Sequence, residues 1–178
     1  MERFSLLARS LHWMIAALLF IQVPLAWYMM DLPLSPAKFE NYALHKSIGM
    51  VLFTLAVLRL IRAVLGKRPA LPPDTKLWEK ILAKAIQGLL YLIVIIMPIS
   101  GWLLSSAANV PVVVFGLVEL PMLVEPDKEF TEGMKRVHEM QSYILMTLVG
   151  LHIAAGLKHQ FLKRDNVLYS MLPLVGKR

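Results

Sequence analysis

The sequence predicts an all-α integral membrane protein: a four-helix bundle, a single domain over residues 1–178, with both termini cytoplasmic. Three observations carry this expectation. Hydrophobic residues make up 57% of the chain and mean hydropathy is +0.60, whereas soluble domains hold roughly 45–50% apolar residues. Long stretches carry no Asp, Glu, Lys or Arg: the 21 residues Ser10–Met30, the 34 of Ala85–Val118 and the 18 of Met140–Leu157. A spanning helix needs about 20 apolar residues. Finally, the basic residues divide unevenly along the chain. Fourteen Lys and Arg fall in the segments that lie inside if the N-terminus is inside, and five fall outside, which follows the positive-inside rule.

The first helix is expected over about residues 5–30. Arg3 and Arg9 precede its apolar run, as in a signal peptide, but the run is too long and no small-x-small site ends it, so it should remain as an anchor. The outer loop Asp31–Asn41, with Pro33 and Pro36, leads to a second helix over about 42–65. Only Ser47–Leu58 is free of charge there, so the span requires Lys46 to snorkel outward and Arg59 and Arg62 to find partners near the inner side. Pro69, Pro72 and Pro73 break the inner loop Gly66–Asp74. Helix three, about 77–108, starts with the amphipathic turn Leu77–Lys84, and Pro98 with Gly101 predicts a kink in it. The outer stretch Asn109–Thr131 has Pro111, Pro121 and Pro126 and no helical period, which reads as a simple connection. Helix four is expected over about 132–163.

The net charge of +7 is thus a sidedness signal, and no nucleic-acid partner is implied. The chain has no cysteine, which excludes disulfides, thiolate catalysis and cysteine-ligated clusters.

The five histidines all fall in predicted helices. His138 and His152 are 14 residues apart, about 3.9 helical turns, so both project from nearly one face roughly 21 Å apart along the axis. His12 lies 18 residues below Met30, and His152 lies 20 below Glu132, so these two share an inner depth. His45 and His138 both sit in the first turns of helices entering from outside. Two pairs result, His12 with His152 and His45 with His138. A neutral imidazole can ligate iron through one nitrogen while its other N–H meets a nearby acceptor. Two axial histidines close a haem iron to oxygen and leave a one-electron centre. A lone intramembrane histidine is more often a hydrogen-bonding or proton-relay group, but four that match pairwise in depth point to two stacked haems.

Arg59 follows His45 by the same 14-residue offset and should reach the level of the inner pair. It and Arg62 either meet haem propionates or snorkel to the inner headgroups. Ala16, Gly49, Ala155 and Gly156 supply small side chains near the histidines, although small residues are also ordinary in membrane helix packing. His159, two turns beyond His152, has no histidine partner; it is a candidate to hydrogen-bond a quinone carbonyl, with Ser5, Arg9 and Lys158 as neighbours, or else a solvated interfacial residue. Lys46, Lys135 and Arg136 form a basic collar at the outer pair that could attract a small anion, pair with propionates or cap helices.

The combination resembles the bacterial cytochrome b561 family, the small di-haem membrane cytochromes that include superoxide oxidase. The motifs carrying the resemblance are LHW at Leu11–Trp13, LHKSIG at Leu44–Gly49, VLRLIR at Val57–Arg62, Pro98 with Gly101, VHE at Val137–Glu139, GLHIAAGLKHQF at Gly150–Phe161 and KRDNVLYSMLP at Lys163–Pro173. The resemblance implies two haem b groups held by the pairs above, a ubiquinone site near His159, a place in the bacterial inner membrane, and transfer of electrons from a periplasmic anionic donor such as superoxide to ubiquinone. The expected activity is superoxide:quinone oxidoreductase-like. Against that, the outer segments sum to five basic and eight acidic residues, a poor field for steering an anion. A rival reading is a haem-bearing membrane anchor that exchanges electrons between a partner redox protein and the quinone pool, with the acidic loop Glu119–Glu132 as its docking face.

Overall fold

The computed structural model describes residues 3–66, 69, 75–165 and 167–172. Lys67, Arg68, Pro72, Pro73 and Asp74 of the inner loop, and Asn166, Pro173, Lys177 and Arg178 of the tail, lie outside the described residues. Four helices are long and apolar enough to cross a membrane. They are α1 (Leu6–Asp31), α2 (Pro36–Leu65), α3 (Leu77–Ala107) and α4 (Lys128–Lys158), the last continuing as a π-helical segment His159–Lys163. A two-stranded hairpin, β1 (Val112–Val114) and β2 (Val118–Leu120), lies between α3 and α4, and a short α5 (Val167–Met171) follows the π segment.

The helix count matches the sequence reading, and two starts move outward. α2 begins at Pro36 because Ser35 caps it, its hydroxyl accepting from the Lys38 amide, and proline at the first helical position gives up an amide that had no partner anyway. α4 begins at Lys128 because the Asp127 carboxylate accepts from the Phe130 amide at 2.8 Å. α3 runs through Pro98 as one helix.

The stretch Asn109–Thr131 is not a simple connection. Val112 pairs with Leu120, Val113 with Glu119 and Val114 with Val118, around a turn with Phe115 and Gly116 both at positive φ. Two positive-φ positions give the mirror-image turn whose twist suits a hairpin, and the glycine meets it without a Cβ penalty. Buried serines seat this hairpin on the bundle. Ser47 Oγ accepts from the Phe115 amide at 2.9 Å, Ser105 Oγ donates to the Val110 carbonyl at 2.8 Å, and Ser106 Oγ accepts from the Leu123 amide at 3.1 Å.

The interior is built from Ile15 of α1, Ile48, Leu52 and Ala56 of α2, Ile93 and Val94 of α3, and Leu145 and Leu148 of α4. Residues 48, 52 and 56 recur every fourth position, which places them on one face. Large apolar side chains such as Phe20, Trp27, Leu65 and Phe161 point outward. In lipid that exposure costs nothing, so close packing and hydrogen bonds hold the helices together rather than apolar burial. α3 packs most extensively on α4, and α1 on α2, with α2 bridging to α3.

Candidate functional site

Helix geometry brings the histidines together in the two pairs that the depth argument expects. The His12 and His152 rings, from α1 and α4, have centroids 6.0 Å apart and planes crossing at 73°. The His45 and His138 rings, from α2 and α4, are 6.5 Å apart and cross at 77°. Each pair thus draws one ring from α4 and one from the α1–α2 hairpin. Among the described residues, α4 packs its backbone extensively on α3 but not on α1 or α2, so the rings meet across a gap between helices.

These separations can be tested against iron. Metal–imidazole bonds are about 2.0–2.1 Å, and a ring centroid lies about 1.2 Å behind its nitrogen, so two axial imidazoles on one metal have centroids about 6.4 Å apart. Both pairs meet that value within half an ångström. Among the described residues no group of three or more His, Asp or Glu converges as a lone ion would need. Two imidazoles at a metal-bridging separation, with no further His, Asp or Glu converging among the described residues, suit a metal whose other positions a macrocycle fills. The chain's residues fit haem at both levels.

The surroundings of the pairs differ. Around the outer pair, Ser100 Oγ of α3 lies 2.9 Å from His138 Nδ1, 2.7 Å from the Met97 carbonyl and 2.6 Å from Gln141 Oε1. Gly101 backs the same ring: a Cβ there would stand 3.1 Å from His138 Cε1. Gln22 of α1 donates from Nε2 to the His45 carbonyl at 2.9 Å, and its amide lies against Gly49, 3.6 Å from where a Cβ would be. His45 Nδ1 is buried with no hydrogen-bond partner among the described residues. Nearby, Lys46 Nζ donates to the Pro111 carbonyl at 3.3 Å, which ties this member of the basic collar to the hairpin.

At the inner level Arg59 is close enough for its charge to act on both His12 and His152, the depth its 14-residue offset from His45 requires. Its guanidinium lies 5.3 Å from the centre of the Tyr91 ring. Arg62 donates to Ser5 Oγ at 3.0 Å. Phe4, Ala8, Arg59, Arg62, Ala63, Tyr91 and Met171 line a small cleft where α1, α2, α3 and α5 meet. Two arginines in one cleft form a receptor for carboxylates.

His159 sits at the start of the π-helical segment, and its Nδ1 lies 2.6 Å from Asp165 Oδ2. A carboxylate only accepts, so Nδ1–H is the donor and Nε2 is the ring nitrogen that remains. Asp165 Oδ1 also accepts from the Val167 amide at 3.1 Å, starting α5. The expected neighbours are engaged elsewhere: Ser5 with Arg62 and as the cap of α1, Arg9 with the Leu172 carbonyl, and Lys158 with Glu79 at 2.8 Å. A cleft of about 350 Å³ lined by Gln160, Phe161, Arg164, Asp165 and Tyr169 opens beside this pair. Arg164 adopts φ 51°, the left-handed conformation, as the chain turns out of the π segment.

Sequence reasoning missed Ser100, Gln141, Gln22, Tyr91 and Asp165. None has a signal of its own, because each matters only through a neighbour on another segment or beyond a turn.

Comparison with known proteins identifies the family. A family model described as prokaryotic cytochrome b561 matches residues 3–174. The chain is 27% identical to cytochrome b561 homolog 2 of Escherichia coli (strain K12) over 172 residues, covering 96% of this chain and 92% of that one. It is 24% identical to the probable superoxide oxidase CybB of Yersinia pestis over 175 residues, 97% of each chain. Cytochrome b561 homolog 1 of Escherichia coli (strain K12) is 27% identical over 183 aligned positions, 97% of this chain and 98% of that one.

Proposed function

The chain belongs to the prokaryotic cytochrome b561 family, and from that premise we propose that it carries electrons from a periplasmic one-electron donor, superoxide, to ubiquinone in the bacterial inner membrane. Family membership makes it a multi-pass membrane electron-transfer protein that binds haem b. The finer reading rests on one observation above all: two imidazole pairs at two depths, 6.0 and 6.5 Å between ring centroids.

In this reading the whole chain acts as one domain with both termini cytoplasmic. His45 and His138 hold the outer haem b, and His12 and His152 the inner one. When bound, these groups would supply one-electron centres. Arg59 and Arg62 receive inner propionates in the cleft beside Tyr91, which answers the cost of two arginines at that depth. Lys46, Lys135 and Arg136 gather the anionic donor at the outer pair.

The balance sets the demands on the inner end. Two superoxide anions each lose one electron and leave as dioxygen; ubiquinone takes two electrons and two protons and leaves as the quinol. His159 exchanges protons with a quinone oxygen through Nε2 in this reading, a role supported by the hold of Asp165 on Nδ1. The cleft of Gln160, Phe161, Arg164 and Tyr169 offers the ring an apolar wall and polar edges.

The second reading is the membrane anchor that serves a partner redox protein. It draws on the hairpin, where the apolar tip residues Phe115, Leu117 and Val118 are exposed beside the acidic stretch from Glu119. Superoxide-dependent reduction of a ubiquinone analogue by the purified chain separates the two. Steady turnover supports the oxidase; a haem-loaded preparation that turns over only with an added redox protein supports the anchor. A preparation without a haem spectrum defeats both.

A further inference from the structure

The outer histidines are held unequally, and the inequality is written in proton bookkeeping at Ser100. This serine is 4% exposed and Gln141 8%, so neither exchanges partners with water. The hydroxyl has one proton and three polar neighbours. The Met97 carbonyl at 2.7 Å only accepts, and Gln141 Oε1 at 2.6 Å only accepts. The single proton is therefore used on that side whichever of the two receives it. The Met97 carbonyl also hydrogen-bonds the His138 ring and can only accept, so the imidazole is the donor and Ser100 Oγ, 2.9 Å from Nδ1, turns a lone pair toward it. Nδ1 carries the hydrogen, and Nε2 is left with the lone pair that binds metal. Next along α3, Gly101 sets the ring's position, since a Cβ there would crowd Cε1 at 3.1 Å. His45, on the facing side, has a buried Nδ1 with no such acceptor among the described residues.

We propose that Ser100 is a positioning residue for the outer haem: with the Met97 carbonyl it holds the tautomer of His138, and it raises that ligand's basicity, so that this imidazole is a stronger donor than His45. This rests on the reading of His45 and His138 as the outer ligands. An acceptor on the far nitrogen pushes electron density toward the metal and favours the ferric state. Loss of the acceptor shifts the couple toward the ferrous state. Removing such a partner has an effect of the order of tenfold or more, and tenfold in a one-electron equilibrium is about 59 mV.

The test is an optically monitored redox titration of the purified, haem-loaded protein carrying Ser100→Ala, beside the parent, Ser100→Thr and His138→Ala. Ser100→Ala should raise the midpoint potential of one haem by that order and leave the other within error, and Ser100→Thr, which keeps the hydroxyl, should restore it. Loss of one haem in Ser100→Ala with recovery in Ser100→Thr also supports the assignment. If Ser100→Ala does not accumulate in the membrane, Ser100→Cys keeps the shape with a weaker acceptor and carries the same expectation. Two unchanged potentials, a downward shift, or equal shifts of both haems overturn it. The controls separate the two ideas: if His138→Ala keeps both haems, the ligand reading fails, whereas loss of one haem there with no shift in Ser100→Ala defeats only the role of Ser100.

Discussion

Replacing His138 with alanine should halve the haem content and leave the bundle folded. The side chain hydrogen-bonds Ser100 Oγ and the Met97 carbonyl, and the serine hydroxyl keeps Met97 and Gln141 as partners. Losing one such bond costs about 0.5–1.5 kcal/mol, small against the roughly 5–15 kcal/mol of a typical fold. The consequence for iron is much larger, because one of two axial ligands disappears. The inner pair is spared by distance, since 14 residues of α4 separate the levels by about 21 Å. Haem and protein quantitation on the purified variant should give one haem per chain, and the reduced-minus-oxidised spectrum should keep a single low-spin b component. His12→Ala should produce the reciprocal loss. Retention of both haems in His138→Ala, or loss of both with helicity intact by circular dichroism, would refute the pairing of the four histidines.

Other perturbations follow from the same contacts. Gly101→Ala places a methyl against His138 Cε1 at 3.1 Å, so the ring must yield by a few tenths of an ångström; the electron paramagnetic resonance signal of one haem should broaden or shift while the other is unchanged. Asp165→Asn replaces the acceptor at His159 Nδ1 and should slow ubiquinone reduction severalfold with haem content and spectra preserved, checked by stopped-flow reoxidation of the reduced protein with a quinone analogue. Ser47→Ala removes the hydroxyl that accepts from the Phe115 amide at 2.9 Å and should cost about 0.5–1.5 kcal/mol, read as a lower thermal midpoint in detergent. Glu79→Gln weakens a carboxylate that joins Lys158 at 2.8 Å and Lys163 at 2.5 Å; amide exchange over residues 156–163 should quicken, with the outer half of α4 unaffected.

Residues whose role depends on depth alone were legible in the chain. A helix advances by a fixed rise, so the number of residues from a charged boundary sets the level of His12, His45, His138, His152 and Arg59 before any packing is known. The pairing follows because only two levels exist. What stayed hidden depends on rotation and on neighbours. Ser100 is one hydroxyl among several in an apolar helix, and its bond to His138 depends on how α3 turns against α4. Asp165 lies only six residues beyond His159, but the widened π turn that brings them together has no sequence period to reveal it. The hairpin escaped notice because three-residue strands are too short for an alternating pattern to stand out, and the positive φ at Phe115 contradicts that residue's usual preference. The early starts of α2 and α4 were readable in Ser35–Pro36 and Asp127, where capping chemistry outweighs the polarity of the first turn.

The division of the bundle into α1 with α2 and α3 with α4 has a consequence for biogenesis. Each hairpin buries its own contacts and can be inserted as it leaves the ribosome, before the other exists. Neither histidine pair is complete within either half: His12 and His45 come from the first, His138 and His152 from the second. On the proposed haem assignment, porphyrin loading would add to the apolar contacts that join the two parts, and the free energy of metal capture would become free energy of closure. Under haem starvation the cell should accumulate inserted, helical but less tightly closed chains, in which amide exchange along the facing sides of α2 and α3 quickens more than within either half.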